Sequence, residues 1–265
     1  MMNRTEFERL LQIANQNSTP PDLSRANLAG LNLNGLNLRG ANLSWANLQG
    51  ASLAGANLAG VNLAWANLQQ ANLQQANLQQ ADLTASDATG ADFGQANLAK
   101  ALLCGALLIE AGLNQANLTE ADLGGANLSR ANAGEARLVR ANLTGAKLPA
   151  ANLADAALSG IQAEWANFEQ ANFTGANLGE ALLNRANFAG AIMTRCNLNS
   201  ARLQGAGLKN ATLTGAILIN ANLSHADLWH ADLSGADLTN TILQQTLLSG
   251  ARLNGATMPD GQIYT

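Results

Sequence analysis

Five residues, Ala66-Asn67-Leu68-Gln69-Gln70, recur unchanged at 71–75 and again at 76–80. Variations of that unit run from Pro21 to Asp260 with no insertion or deletion. The unit centres fall at residue numbers ending in 3 or 8, from Leu23 to Met258. Leu occupies 39 of the 48 centres, and Ala stands two residues earlier in 39 units. Asn or Asp precedes the centre in 30. A register that never slips leaves no room for a linker or domain boundary, and a fixed short period is the mark of a solenoid. A period of five suits neither regular element. On an α-helix, steps of five carry successive Leu residues around every side. On one continuous strand, an odd period sends them to alternate faces. The pattern closes only if the chain turns a corner once per unit, with Ala and Leu of each short extended side both facing inward. Four corners make a square. Asn67 is expected at the turn, and Gln69 and Gln70 outward.

The A-[DN]-L-x-x pattern, held over about nine tenths of the chain, resembles the pentapeptide-repeat proteins. The resemblance implies an all-β solenoid, a right-handed quadrilateral parallel β-helix of four units per coil and about 12 coils here. Long Leu-centred arrays of this kind are especially common in cyanobacteria. Residues 20 apart then stack above one another. The expected organisation is 1–20 as an N-terminal capping α-helix and linker, 21–260 as the repeat, and 261–265 as a short tail. Within the first segment, Thr5 and Glu8 form a capping-box signature. Phe7, Leu10, Leu11 and Ala14 make one apolar helical stripe, suited to lidding an open coil.

Charge bounds the partners. A net charge of −4, with 12% charged residues, gives no basic footprint for nucleic acid and no polybasic patch for a membrane. The N-terminal residues lack an apolar signal region, and no run of about 18 apolar residues exists. The expected location is cytoplasmic. Cys104 and Cys196 lie more than four coils apart, too far for a disulfide, and neither has metal-ligand spacing. His225 and His230 are one unit apart and belong on different edges, so they do not converge on a metal. The sequence contains no phosphate loop and no converging nucleophile, base and acid. No enzyme activity, cofactor or metal is expected.

The outward positions carry whatever function there is. Trp45 and Trp65 are 20 apart and are expected to stack on one edge, in a column with Arg25, Trp165, Arg185 and His225. That column is either a self-stacking rung or a binding site. Leu102, Leu107 and Ile109, with Cys104, replace usually polar residues and predict an apolar patch. Ile242 and Leu247 do the same on the last coil. Lys100, Glu120 and Arg140 predict an alternating-charge ladder, and Glu110 with Arg130 a shorter one. The final layer, Leu243, Leu248, Leu253 and Met258, has too few residues after it for a helical lid, which marks the C-terminal end for a homodimer. These features favour a structural or protein-interaction rod whose partner is another protein. The resemblance supplies an alternative, since some members of that family are DNA-mimicking inhibitors of a topoisomerase such as gyrase. Mimics carry strongly acidic faces, whereas 18 acids here meet 14 bases.

Overall fold

The computed structural model describes Phe7, Arg9 and residues 19–265. From Asp22 onward the chain is a parallel β-solenoid. The residue before each centre bridges in parallel to the one 20 positions on, from Asp22–Asn42 to Asp237–Thr257. Four units therefore make each coil. At about 4.8 Å per coil the bridged array is about 56 Å long. Every centre Leu from Leu23 to Leu238 is at most 3% exposed, and full burial of such a side chain contributes roughly 1.5–3 kcal/mol. One vacated centre, Ala163, has large neighbours in the interior. Phe168, Phe173 and Phe188 gather near Ala163, with Phe168 and Phe188 stacked at 4.9 Å. Phe173 meets Phe168 edge-on at 5.2 Å.

The turn is not at Asn67. A hydrogen bond from the Ala71 amide to the Leu68 carbonyl (3.0 Å) closes the corner around Gln69 and Gln70. Asn67 sits mid-side, in the bridge to Asp87. Backbone accounting explains why. The Ala66 amide bonds Leu63 across the previous turn (3.0 Å), and the Asn67 amide bonds Ala46 one coil earlier (2.9 Å). The Leu68 and Gln70 amides bond Asp87 and Thr89 one coil later (2.6 and 3.0 Å). The Gln69 amide alone has no backbone partner. It donates to the Asn67 Oδ1 at 3.0 Å. Asn or Asp before the centre is therefore the acceptor for the one amide that ladder and turn both miss.

The same side chains also link coils. Asn37, Asn57, Asn77, Asn97 and Asn117 form a continuous ladder, each Nδ2 above Asn37 donating to the Oδ1 one coil earlier. Asp accepts but cannot donate, so it serves at a ladder's foot, as Asp22 does beneath Asn42 (2.9 Å) and Asp122 beneath Asn142 (2.8 Å). Each corner ends on a residue in the left-handed region, from Arg25 (φ 60°) to Gly255 (φ 70°). Glycine takes that conformation freely, whereas Trp65 (φ 61°) holds it at a cost of roughly 1–2 kcal/mol.

The cap expected over residues 3–17 lies outside the described residues, apart from Phe7 and Arg9. Both are helical, and Phe7 is fully buried in the core cluster that includes the first Leu layers. At the other end the tail folds back. Ile263 pairs antiparallel with Thr257, and the Tyr264 amide donates to the Ala256 carbonyl at 2.8 Å. This covers one side only, and Leu243, Leu248, Leu253 and Met258 remain partly exposed.

Two stability outcomes follow from the hydrogen-bond accounting. Ser159 follows Ala157, which offers no acceptor, and its amide makes no hydrogen bond among the described residues. Pro149 already occupies the equivalent position after Lys147. Ser159→Pro is therefore expected to stabilise by about 0.4–1 kcal/mol. Ala154→Pro, which removes a bond to the Asn152 Oδ1 (3.2 Å), is expected to gain nothing. Ser86 Oγ is buried with no hydrogen-bond partner, so Ser86→Ala is expected to raise stability by about 1–3 kcal/mol. Denaturant titrations of the three variants check both.

Candidate interaction surface

Each residue with a number ending in 5 or 0 stands on a corner, so columns 20 apart become edges of the rod. One edge carries Trp45, Trp65 and Trp165. Trp45 and Trp65 stack with ring centroids 5.1 Å apart and planes inclined by 5°. They remain 55% and 54% exposed, so stacking covers only one face of each ring. The Arg185 guanidinium lies 4.6 Å over the Trp165 ring on the same edge, a contact of about 0.5–1 kcal/mol at an exposed site. The expected aromatic column is present, and its outer surface is free among the described residues.

The two faces that meet at this Trp edge hold the other candidates. Leu102 and Ile242 lie on the face before it, and Leu107 and Leu247 on the face after it. All four are exposed. Each takes the place where Asn or Asp elsewhere accepts the corner amide. Leu102 therefore gives up a hydrogen bond to the Cys104 amide and also exposes 46% of an apolar side chain. Neither change benefits the coil, which separates these residues from ordinary scattered surface apolars. Ile109 is different. It is half-buried and stands on the next corner, so it does not share the edge with Leu102 and Leu107. Leu182 extends the first face, and Trp229 borders the second at the far end, packed edge-on against His230 at 3.9 Å. The sequence shows Trp229 only as a neighbour of two histidines. Its place beside Leu247 follows from the 20-residue register.

The charged columns sit on other edges. Lys100 Nζ lies 3.4 Å from Glu120 Oε2. Arg130 Nη2 lies 2.6 Å from Glu110 Oε1, with Nε donating to the same oxygen at 2.9 Å. The ladder stops there, since Arg140 is not within ion-pair distance of Glu120 among the described residues. Asp227 pairs with Lys209 at 3.2 Å. Cys104 is half-buried rather than plainly outward. Burial and then the neighbouring Asp122 push its thiol up to about 11. Burial also pushes the Cys196 thiol up. Burial tends to raise the Asp87 carboxyl, but hydrogen bonds from Thr89 and Gln69 outweigh it and hold the group below the usual carboxylate value. Among the described residues, no group of three or more His, Cys, Asp or Glu side chains could hold a metal. No helix there is long and apolar enough to cross a membrane.

The parallel coils of four five-residue sides define the class as a quadrilateral β-solenoid, and the comparisons agree. A family model described as pentapeptide repeats matches eight copies, over residues 22–60, 46–84, 62–98, 86–125, 126–162, 164–199, 181–218 and 216–255. The chain belongs to the pentapeptide-repeat family. It is 33% identical to HetL, a pentapeptide repeat protein involved in heterocyst differentiation regulation from the cyanobacterium Nostoc sp. strain PCC 7120. That match covers 100% of both chains with a TM-score of 0.38. A second pentapeptide repeat protein of Nostoc PCC 7120 is 32% identical over 49% of this chain and 78% of its own, with a TM-score of 0.25. A trypsin-treated form of QnrB1, a plasmid-mediated fluoroquinolone resistance protein, is 20% identical over 74% of this chain and 88% of its own, with a TM-score of 0.33. A search of the curated proteins returned no match.

Two outcomes test this electrostatic description. Glu120→Lys is expected to lower the melting temperature by an amount that shrinks in high salt, because both partners are exposed. A salt-independent shift would contradict the pairing. At pH 8 both cysteines remain thiols, so Cys104 is expected to alkylate more slowly than an exposed cysteine. Cys196 is expected to react only after unfolding, as mass spectrometry of timed alkylation would show.

Proposed function

We propose that the chain is a non-enzymatic, cytoplasmic interaction rod that docks another protein along its Trp edge, without nucleic acid or membrane as partner. One observation carries this reading. Three of the four tryptophans, Trp45, Trp65 and Trp165, stand exposed on this one edge, and the exposed Leu102, Leu107, Ile242 and Leu247 lie on the faces beside it. The edge is one of four. Exposed Trp is enriched where proteins meet. The described coils supply a rigid support, and among the described residues no cleft is deep enough to desolvate a reacting group. Ile109 is placed on the margin of this surface rather than within it. The partly exposed last coil is a second proposed contact, for a homodimer through the C-terminal end.

The alternative, a DNA-mimicking protein that binds a topoisomerase such as gyrase, meets a charge-density problem. Duplex DNA carries one negative charge per roughly 1.7 Å of axis. A net charge of −4 over a rod of about 56 Å gives one per roughly 14 Å. Ion-paired lysines and arginines interrupt the acidic columns.

Affinity capture from the native cell tests the two readings together. Trp45→Ala with Trp65→Ala is expected to lose captured proteins that the wild type retains. An unchanged set would count against the edge. Dose-dependent inhibition in a gyrase supercoiling assay would reverse the ranking.

A further inference from the structure

The inference concerns what covers the Trp edge, and it rests on that edge being a contact surface. Trp65, Trp165 and Arg185 stand up from it, while Ala85, Gly105 and Gly205 leave notches. Crowding within the chain does not require the notch at Gly105. A Cβ there would meet no atom within 4 Å, and other corners carry Gln, Arg or Trp at the same left-handed φ.

Place a second copy end for end against this edge, with the two-fold axis midway between Gly125 and Gly145. The 20-residue register then sets Trp165 of one copy over Gly105 of the other, Arg185 over Ala85, and Trp65 over Gly205. The flanks of each notch match its occupant. Gly105 lies between the exposed Leu102 and Leu107, an apolar slot for an indole. Ala85 lies between Asp82 and Asp87, two carboxylates for a guanidinium. Gly205 shares its surface notch with Arg185 and His225, so the indole of Trp65 arrives beside a cation. Because a two-fold contact is isologous, each of these pairings occurs twice. We infer that a second copy of this chain docks antiparallel along the Trp edge, with Trp65, Trp165 and Arg185 of each copy filling the notches at Gly205, Gly105 and Ala85 of the other. The contact runs from Trp45 to His225, about 43 Å at the coil spacing. With a breadth of roughly 10 Å it buries on the order of 900 Å² across both copies, at the small, reversible end of specific interfaces. This pairing is lateral, unlike one through the last coil.

Sedimentation equilibrium of the full chain, up to concentrations of about 500 µM for a contact this small, tests the pairing. The wild type is expected to show a concentration-dependent dimer. Gly105→Gln fills the apolar slot and is expected to weaken the dimer at least about tenfold, as blocking a central anchor does. Arg185→Glu alone, and Asp82→Lys with Asp87→Lys in one chain, each place like charges at both contacts and are expected to be monomeric. An equimolar mixture of those two proteins is expected to dimerise again, because both contacts then join opposite charges. Thermal melts check that each variant is folded. Lys147 already occupies the slot that Asp82 and Asp87 fill, and Gly105→Gln touches no ladder bond. A wild type that stays monomeric overturns the inference. So does a dimer unmoved by all three substitutions, which the last coil would then hold, or a mixture no tighter than its components. If the wild type is monomeric while Trp45→Ala with Trp65→Ala still changes the proteins captured from cells, self-pairing fails and the interaction reading stands.

Discussion

Each five-residue side has one amide that neither the ladder nor the turn can satisfy. An unpaired amide costs free energy wherever water is partly excluded, and this one recurs at every corner that lacks a proline. The Asn or Asp before the centre answers it, which makes that residue as much a part of the fold as the buried Leu. Its absence is tolerated where something else removes the demand. Pro149 and Pro259 stand at corners whose acceptor is missing, after Lys147 and Thr257, and proline has no amide to satisfy. At Ala54 and Gln204 the acceptor is borrowed from Asn34 and Asn184, one coil earlier. Steric preference alone would not pair prolines with missing acceptors. Hydrogen-bond accounting does.

Departures from the repeat therefore divide into two kinds. Some keep the accounts balanced within the array, as Pro149, Asn34 and the Asp residues at ladder feet do. Others leave an amide to solvent and expose an apolar side chain in the same step. Leu102, Leu107, Ile192, Ile217, Ile242 and Leu247 belong to the second kind, and four of these six flank the Trp edge. In a solenoid, stability is a sum over neighbouring coils, so a local deficit of a kcal/mol or so is absorbed without loss of the fold. The rod can hold such residues on its surface because nearly every coil around them is regular.

Much of this was legible in the sequence because its register is unbroken. Burial of Ala and Leu, the stacking of Trp45 on Trp65 and the pairing of Lys100 with Glu120 all follow from adding 20 to a residue number. The position of the corner did not. A period of five requires one corner per unit but leaves its place open, and small polar residues are good turn formers, which pointed to Asn67. Only the count of amides moves it to Gln69 and Gln70. Arg140 shows another limit. Register places it above Glu120, but a long exposed side chain gains little by holding one geometry. Ile109 failed for a third reason. Nearness to Leu107 in the chain conceals that Ile109 is itself a corner residue, at the end of the face that carries Leu107 farthest from the Trp edge.

Quantised spacing connects fold to function. Surface features on this rod can be separated along an edge only in steps of one coil, about 4.8 Å, and around it only in quarter turns. A partner built on the same lattice matches that spacing over any length, whereas an α-helix with its 5.4 Å pitch drifts out of step within a few coils. The pattern of raised and recessed corners is therefore best read by another solenoid. Trp65, Trp165 and Arg185, with Gly205, Gly105 and Ala85 opposite them, meet that condition with a second copy of the same chain turned end for end. Regularity, which makes the interior so uniform, is what gives the few irregular residues outside it a defined address.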